Sequence, residues 1–253
     1  MAFRRLFFDI EVSYCKGWFW SPSYNTSISY NQILEHSKVI CICWKWQGSN
    51  KIHHLEWDSN QDDKTMILAF KKAMLEADEI IGHNGDRYDV KWFRTRCLFH
   101  GVKSLPQFKT LDTLKISRSK FKFPSNKLGD IADYLSLGHK IDTGGIDLWH
   151  DVILHKKKRA MRDMVKYCKM DVELLEKIFH KLEGYAPHKT HVGLQENGLG
   201  ADRCDCPYCG DEHTHLNRRN ITPSGTISII MRCAKCVKYF KVSNRAYINR
   251  KNG

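Results

Sequence analysis

The sequence predicts an α/β domain followed by a small cysteine-rich module. Apolar or β-rich runs come first, and strand-like and helix-like segments then alternate, which is the order expected of an α/β domain. Five of the ten cysteines crowd into residues 204–236, which indicates a separate module. A chain of 253 residues has room for one large and one small domain, and its 42% hydrophobic residues can form a core.

The first half of the chain supplies strands and two helices. Residues 3–12, 39–46 and 52–57 are apolar or β-rich, and QGSN between the last two runs predicts a hairpin. Residues 62–76 begin with acids and carry apolar side chains at helical spacing, so they predict an amphipathic helix. A strand in EIIGHN and a helix over residues 86–100 follow, which completes the alternation.

The second half predicts two helices and a boundary. One helix is expected to be capped at Ser125 or Asn126 and to run to Leu135, and an apolar stripe predicts a long helix over residues 156–182. The next segment is rich in Gly and polar residues, as linkers are. We therefore divide the chain into a domain of residues 1–184, a linker of residues 185–202 and a module of residues 203–253.

The charge of the chain favours a polyanionic partner. Lys and Arg outnumber Asp and Glu by 41 to 28, which gives a net charge of +13. Such an excess is typical of proteins that bind nucleic acid. No run approaches the roughly 18 apolar residues that a membrane span needs, and the N-terminal stretch carries acids where a signal peptide would be apolar. We expect a soluble, cytoplasmic protein with no membrane partner.

Acidic residues interrupt apolar segments at three places. In FFDIEVS, Asp9 and Glu11 alternate with apolar residues, so both side chains project from one face of a strand. Asp89 follows the polar turn after EIIGHN. Tyr167 and Asp171 lie four residues apart in the long helix and share one face. Taken singly, each could be explained by an exposed strand end, a helix cap or a surface ion pair.

Taken together, the three motifs are more specific. A D-x-E strand, then N-x-x-x-Y-D, then Y-x-x-x-D resembles the DEDDy branch of the DEDD exonuclease superfamily. The pattern is similar to the proofreading 3′-5′ exonuclease domain of family B DNA polymerases and to its stand-alone phage and prokaryotic relatives. The similarity covers about residues 3–182. It implies a ribonuclease H-like mixed sheet flanked by helices.

The resemblance also implies roles for five residues. Asp86 competes for the second motif, but the pattern selects the acid that follows Tyr88. Asp112 and Asp130 are expected to be helix caps or surface acids. The implied catalytic set consists of four metal-binding acids and a tyrosine that orients the attacking water: Asp9, Glu11, Asp89, Asp171 and Tyr167.

The chemistry of phosphodiester hydrolysis explains these residue types. Two divalent ions about 3.5–4 Å apart can lower the pKa of a bound water and relieve charge on the leaving oxygen. Four carboxylates offset the charge of two such ions, and hard oxygen ligands favour Mg²⁺ or Mn²⁺ over Zn²⁺. Tyr167, with an ordinary pKa of about 10, suits a water-orienting role better than that of a base. We therefore expect two Mg²⁺ or Mn²⁺ ions.

The segment KISRSKFKFPSNK alternates cations with aromatic side chains. Cations can contact phosphates and rings can stack on bases, as in a track for single strands. The alternative is that the Phe side chains belong to the core and the lysines are solvated. The residues expected to bind nucleic acid are Asn84 of the second motif and Lys115, Arg118, Lys120, Phe121, Lys122, Asn126 and Lys127.

Two C-x-x-C knuckles dominate the C-terminal module. One cysteine pair lies in CPYCG and the other in RCAKC, and 23 residues lie between the two pairs. Two such pairs can converge on one tetrahedral zinc ion, so we predict a structural zinc ribbon. Cys204 is a rival ligand, and His213 and His215 are weaker ones. The predicted zinc ligands are Cys206, Cys209, Cys233 and Cys236.

The C-terminal module is also basic. Residues 186–253 carry 11 Lys or Arg against 5 Asp or Glu. The module is too small to fold readily on its own core, so zinc would supply folding energy. We hypothesise that it anchors a nuclease on DNA.

The resemblance implies a metal-dependent 3′-5′ exonuclease that releases 5′-mononucleotides, and we expect DNA to be preferred over RNA. An exoribonuclease would use the same acids and differ in contacts to the 2′-OH. A structure-specific endonuclease or a non-catalytic DNA-binding accessory protein would also be consistent with this fold. A replication or repair protein is the expected protein partner. The resemblance to phage relatives would place the protein in the cytoplasm of a host cell.

Overall fold

The computed structural model describes residues 3–21, 27–102, 108–140, 144–187, 190–196 and 201–252. The chain forms two compact units. Arg4–Leu182 forms the larger unit, and the chain from Glu183 onwards forms the smaller one together with Phe3. None of the helices in the described part of the chain has the length and apolarity that a membrane span requires.

A five-stranded mixed sheet is the centre of the larger unit, in the order β5-β4-β1-β6-β7. Strand β1 lies in the middle, antiparallel to β4 and parallel to β6, and β7 continues the parallel side. Leu6, Phe7 and Phe8 of β1 are almost completely buried, so this strand is covered on both faces. The strands are β1 Arg5–Val12, β4 Val39–Trp46, β5 Ile52–Glu56, β6 Glu79–Gly82 and β7 Thr110–Asp112.

Two very short strands, β2 Lys16–Gly17 and β3 Ile33–Glu35, pair with each other outside the main sheet. Within its described residues, the larger unit has six α-helices. The longest, α6, packs across β1 and β4 and buries an apolar stripe that includes Met164, Val172 and Phe179. The helices are α1 Lys64–Leu75, α2 Asp89–Phe99, α3 Thr113–Lys120, α4 Leu128–Tyr134, α5 Ile146–Ile153 and α6 Lys158–Leu182.

The prediction for the start of α4 was wrong. The helix begins at Leu128, and its N-cap residue is Lys127, whose side chain makes no capping hydrogen bond. Ser125 does not cap the helix. Its hydroxyl accepts a hydrogen bond from the Lys127 N–H at 3.3 Å, just before the helix begins. The Asn126 carbonyl oxygen contacts His83 at 2.9 Å, so this residue is held by a tertiary contact.

The smaller unit is a three-stranded antiparallel sheet with a C-terminal helix. Its strands β8 Thr214–Ile221, β9 Ile227–Cys233 and β10 Tyr239–Ser243 lie in the order β10-β9-β8, and α8 spans Asn244–Asn252. A short helix, α7 Val192–Glu196, precedes them. The small core contains Ile229, Met231, Phe240 and Val242 together with buried cysteines.

Candidate active site and cysteine cluster

The carboxyl end of the parallel strands brings the first two acids to one edge of the sheet. Strand β6 pairs with β1 only as far as Phe7. Asp9 and Glu11 therefore lie past the carboxyl end of this paired segment. Across the antiparallel pair, Asp9 lies opposite Cys43 and Glu11 lies opposite Cys41. Because side chains alternate along a strand, the two acids project from the same face, as predicted. Ligand sites in α/β proteins form at this end of the strands.

A tight turn after β6 delivers the third acid. A Cβ on Gly82 would come within 2.9 Å of the Gly85 Cα, so the turn needs glycine at this close approach. Asn84 between them has a φ of +64°, the left-handed region that Asn tolerates better than most residues. Asp89 then begins α2, and its Oδ1 accepts a hydrogen bond from the Ile10 N–H at 3.2 Å. The turn therefore joins Asp89 to the strand that carries Asp9.

Helix α6 contributes Tyr167 and Asp171, as their spacing predicts. Both are held by Lys140, whose Nζ donates to the Tyr167 hydroxyl at 2.8 Å and to Asp171 Oδ2 at 2.6 Å. The helix is anchored to β1 by the Cys168 thiol, which lies 3.4 Å from the Asp9 carbonyl oxygen. Lys140 is a site residue that the sequence analysis missed, because the loop that carries it has no motif.

The pKa of each of the four acids is raised. Burial is the largest cause of the raised pKa of Asp9, and the charges of Asp89, Glu11 and Asp171 add to it. Burial and the charge of Asp171 raise the pKa of Glu11 to about 8. Burial raises the pKa of Asp89 to about 7. Burial also raises the pKa of Asp171, against the opposing effect of Lys140. The cluster therefore carries more negative charge than the surrounding side chains compensate.

Two carboxylate oxygens of this cluster have no partner. Asp9 Oδ2 and Asp171 Oδ1 are buried, and neither makes a hydrogen bond within the described residues. Buried unpaired carboxylate oxygens are costly unless a cation contacts them. The oxygen donors fit Mg²⁺ or Mn²⁺. A thiol lies beside them, since ligand atoms of Asp9, Glu11 and Cys168 are within 4.8 Å of one another.

The other acids of the motif region have structural partners or lie exposed. Asp86 forms an ion pair with Lys115 at 2.5 Å. Asp112 caps α3 by accepting a hydrogen bond from the Leu114 N–H at 3.0 Å, which confirms its predicted role. Asp130 lies exposed in the first turn of α4.

The basic and aromatic segment lies against the turn after β6. His83 contacts the Thr113 hydroxyl and the Asn126 carbonyl oxygen, each at 2.9 Å. Phe121 and Phe123 stack with ring centroids 5.3 Å apart, and both are half-buried. The two rings are therefore neither core side chains, which would be fully buried, nor fully exposed surfaces for base stacking.

The cations predicted for nucleic acid are exposed, and some of them share a pocket. Asn84, Lys115 and Arg118 line it together with Arg87 and Asp112. Lys120, Lys122 and Lys127 are exposed elsewhere on the segment. Asn126 differs from them because its side-chain Oδ1 is buried without a partner among the described residues.

The two cysteine knuckles converge in the smaller unit. Cys206 and Cys236 have their sulfurs 3.5 Å apart, and those of Cys209 and Cys233 are 3.7 Å apart. All four sulfurs lie within 4.8 Å of one another, in a cluster that does not include Cys204, His213 or His215. A tetrahedral ion with bonds of about 2.3 Å would separate its sulfurs by about 3.8 Å, so the cluster fits zinc.

Comparisons with known proteins agree on one fold. The model of a family described as RNase_H superfamily matches residues 33–183. The structure of the family B DNA polymerase from the hyperthermophilic archaeon Pyrobaculum calidifontis is similar, with a TM-score of 0.56 and 18% identity. The match covers 77% of this chain and 26% of the polymerase chain, so this chain spans about a quarter of that protein. None of the curated proteins matches the sequence. The predicted ribonuclease H-like sheet flanked by helices is confirmed.

Proposed function

Since the chain belongs to the ribonuclease H superfamily, we propose that it is a metal-dependent 3′-5′ exonuclease that hydrolyses DNA and releases 5′-mononucleotides. The fold is that of ribonuclease H-like nucleases. One observation carries the finer proposal: Asp9, Glu11, Asp89 and Asp171 converge from three separate segments, with two buried oxygens left unpaired. Such a cluster costs stability, so it needs a function to account for it.

The four acids are the residues that would hold the metal. Two Mg²⁺ or Mn²⁺ ions bound there would supply an activated water and stabilise charge on the scissile phosphate. The protein contributes a fixed arrangement of carboxylates. Asp89 is tied to β1 through the Ile10 N–H, and Asp171 is tied to Lys140. The carboxylate oxygens are therefore already in position when substrate binds.

Tyr167 would orient the attacking water. Burial and the Asp171 charge raise the pKa of Tyr167 to about 12, so its hydroxyl keeps its proton at neutral pH. A protonated phenol can accept one hydrogen bond and donate another, but it is a poor base. Lys140 fixes the hydroxyl at 2.8 Å and so limits the directions in which it can point.

DNA is the substrate that we propose, and three features support it. The chain has a net charge of +13, as expected of a polyanion-binding protein. The pocket with Asn84, Lys115 and Arg118 opens next to the turn that leads to Asp89. The similar archaeal structure is a DNA polymerase. A replication or repair protein remains the proposed protein partner.

The test is digestion of 5′-labelled single-stranded DNA and RNA with Mg²⁺ or Mn²⁺, without a chelator so that zinc is retained. Wild type is compared with Asp9→Ala plus Glu11→Ala. Asp130→Ala plus Asp147→Ala is the matched control, since it removes two exposed acids from the same unit. We expect a ladder shortening from the 3′ end of DNA in wild type and control, and none in the active-site variant.

Different outcomes would favour a different activity. A ladder on RNA alone would identify an exoribonuclease, and a single internal cut would identify an endonuclease. If folded wild-type protein binds the DNA without cleaving it, the catalytic proposal is wrong and a DNA-binding accessory role is supported.

A further inference from the structure

The sheet of the smaller unit has two different faces. Ile229 and Met231 of β9 and Phe240 and Val242 of β10 point into its small core. Because side chains alternate, their neighbours along each strand project from the opposite face. We call this second face the outer face, and it consists of His215, Arg218, Asn220, Ser228, Ile230, Arg232, Tyr239, Lys241 and Ser243.

Two rows of paired residues on the outer face carry cations, and a third row, Asn220, Ser228 and Ser243, is uncharged. In one row, Arg218, Ile230 and Lys241 are neighbours across β8, β9 and β10. In the other, His215, Arg232 and Tyr239 are neighbours. A register shift between Leu216 and Arg218 places Arg218 on this face. The first row therefore combines two cations with an apolar side chain, and the second combines one cation, Arg232, with His215 and an aromatic ring.

The cations of the outer face differ from Lys238 and Arg250 of the same unit, which lie beside acids. Lys238 pairs with Glu183 at 2.7 Å, and Arg250 lies 3.5 Å from Asp205. The three strands β8, β9 and β10 contain no Asp or Glu, so Arg218, Arg232 and Lys241 have no acid beside them on the sheet. The strands thus give this face positive charge and no acid of their own, which makes it complementary to an anion.

Tyr239 adds a stacking surface to this positive face. Its side chain is 51% exposed, and the Arg232 guanidinium lies over its ring at 5.7 Å from the centroid. The Arg232 Nε is buried and has no hydrogen-bond partner within the described residues. Lys241 and Tyr239 also line a cleft of about 490 Å³ together with His191 and Tyr208. This volume is within the range of about 300–1,000 Å³ typical of small-ligand pockets, so a nucleobase fits.

We propose that the outer face and its cleft bind a single strand of nucleic acid. Arg218, Arg232 and Lys241 contact phosphates, and an unstacked base lies on Tyr239. Bases of a duplex are stacked on one another, so a ring exposed on a sheet favours a single strand. The cysteine cluster holds the strands in place and does not contact the substrate. This surface is separate from the acidic site and requires no catalysis to be tested.

The first test is fluorescence anisotropy with 5′-fluorescein dT20 and the full chain, in an Asp9→Ala plus Glu11→Ala background that prevents digestion. Arg218→Ala plus Lys241→Ala is compared with Arg245→Ala plus Lys251→Ala, which removes two exposed cations of α8. We expect the outer-face variant to raise Kd at least tenfold and the α8 control to change it less than twofold. Losing two phosphate contacts would reduce the slope of log Kd against log salt by about 1.4.

A second variant separates stacking from charge. Tyr239→Ala is expected to raise Kd for dT20 about fivefold or more, without changing the salt slope. Zinc content is measured for every variant, and each is required to retain one ion per chain. An unchanged Kd in both outer-face variants with zinc retained would overturn the proposal. A duplex that binds as tightly as dT20 would overturn the single-strand assignment.

Failure of this proposal can be distinguished from failure of the catalytic one. Hydrolysis of thymidine 5′-(p-nitrophenyl phosphate) with Mn²⁺ uses the acidic site and offers no second nucleotide to the outer face. We expect Arg218→Ala plus Lys241→Ala in the otherwise wild-type chain to hydrolyse this compound at an unchanged rate. A loss of this hydrolysis in parallel with binding would show that the substitutions disturb the whole protein, and it would remove the support for a separate surface.

Discussion

Asp63 and Asp9 are both acids in the larger unit, but their surroundings are opposite. The Asp63 side chain is completely buried and receives hydrogen bonds from Arg96 at 2.6 and 2.8 Å and from the Val39 N–H at 2.9 Å. His100 lies 2.6 Å from it. Burial by itself would raise the pKa of Asp63, but the hydrogen bonds from Arg96 and His100 lower it below the ordinary value.

The cluster around Asp9 lacks such compensation. Three further carboxylates raise the pKa of Asp9 in addition to burial, and Lys140 offsets this only in part. Asp9 Oδ2 remains without a partner within the described residues. Burial of an acid therefore does not by itself indicate function. A fully paired acid supports the fold, whereas an unpaired cluster held by rigid elements indicates a ligand site.

The largest expected effect is on catalysis. Asp9→Asn should lower the rate of DNA hydrolysis about 10⁴-fold, or ~5.4 kcal/mol, because it removes a proposed metal ligand. The same change should leave the melting temperature of the zinc-loaded protein, measured without Mg²⁺ or Mn²⁺, unchanged or higher, since it removes a repelling charge. Single-turnover cleavage and calorimetry measure the two quantities. A clear fall in this melting temperature would contradict the contrast with Asp63.

Asp63→Asn should lower stability and leave catalysis nearly unchanged, which is the opposite of the effect of Asp9→Asn. It leaves Arg96 buried without its counter-charge, and we expect the free energy of unfolding to fall by about 3–5 kcal/mol. The cleavage rate per folded molecule should stay within about twofold of wild type. Urea denaturation tests the first expectation, with Asp130→Asn at an exposed position as the control. A loss of less than about 1 kcal/mol would show that Asp63 is not the structural acid that its contacts indicate.

Metal binding should stabilise the acidic cluster. Mn²⁺ at 100 times its Kd should add about 2.7 kcal/mol to the free energy of unfolding of wild type. The gain should disappear in Asp171→Asn and persist in Asp130→Asn. Thermal unfolding of zinc-loaded protein at increasing Mn²⁺ concentration measures this gain in stability. An equal gain in all three proteins would place the Mn²⁺ elsewhere.

The smallest effect concerns pH. The folded-state pKa of Asp63 is lowered below its unfolded value of about 3.9. Its contribution is therefore fully present above that unfolded pKa and is lost as pH falls through the folded pKa. The stability difference between wild type and Asp63→Asn should stay constant from pH 7 to about 5 and shrink below about 4. Urea titrations across this range measure it, and a difference that grows on acidification would contradict the assignment.

Much of the acidic site follows from local periodicity. Asp9 and Glu11 share a face because a strand repeats every two residues, and Tyr167 and Asp171 share a face because a helix repeats every 3.6 residues. The start of α4 could not be predicted in this way. Asn126, just before the N-cap residue Lys127, is held by His83, which is distant in sequence.

Patterns along the chain were enough to predict the α/β order, the spacing of the acids and tyrosine, and the two cysteine knuckles. The fold of the whole chain was needed to place Lys140 between Tyr167 and Asp171, and Cys168 beside Asp9. It also decided which residues of β8 join the outer face, because a register shift changes the alternation there. Local patterns follow from backbone geometry, whereas these placements depend on the path of the whole chain, which no short segment specifies.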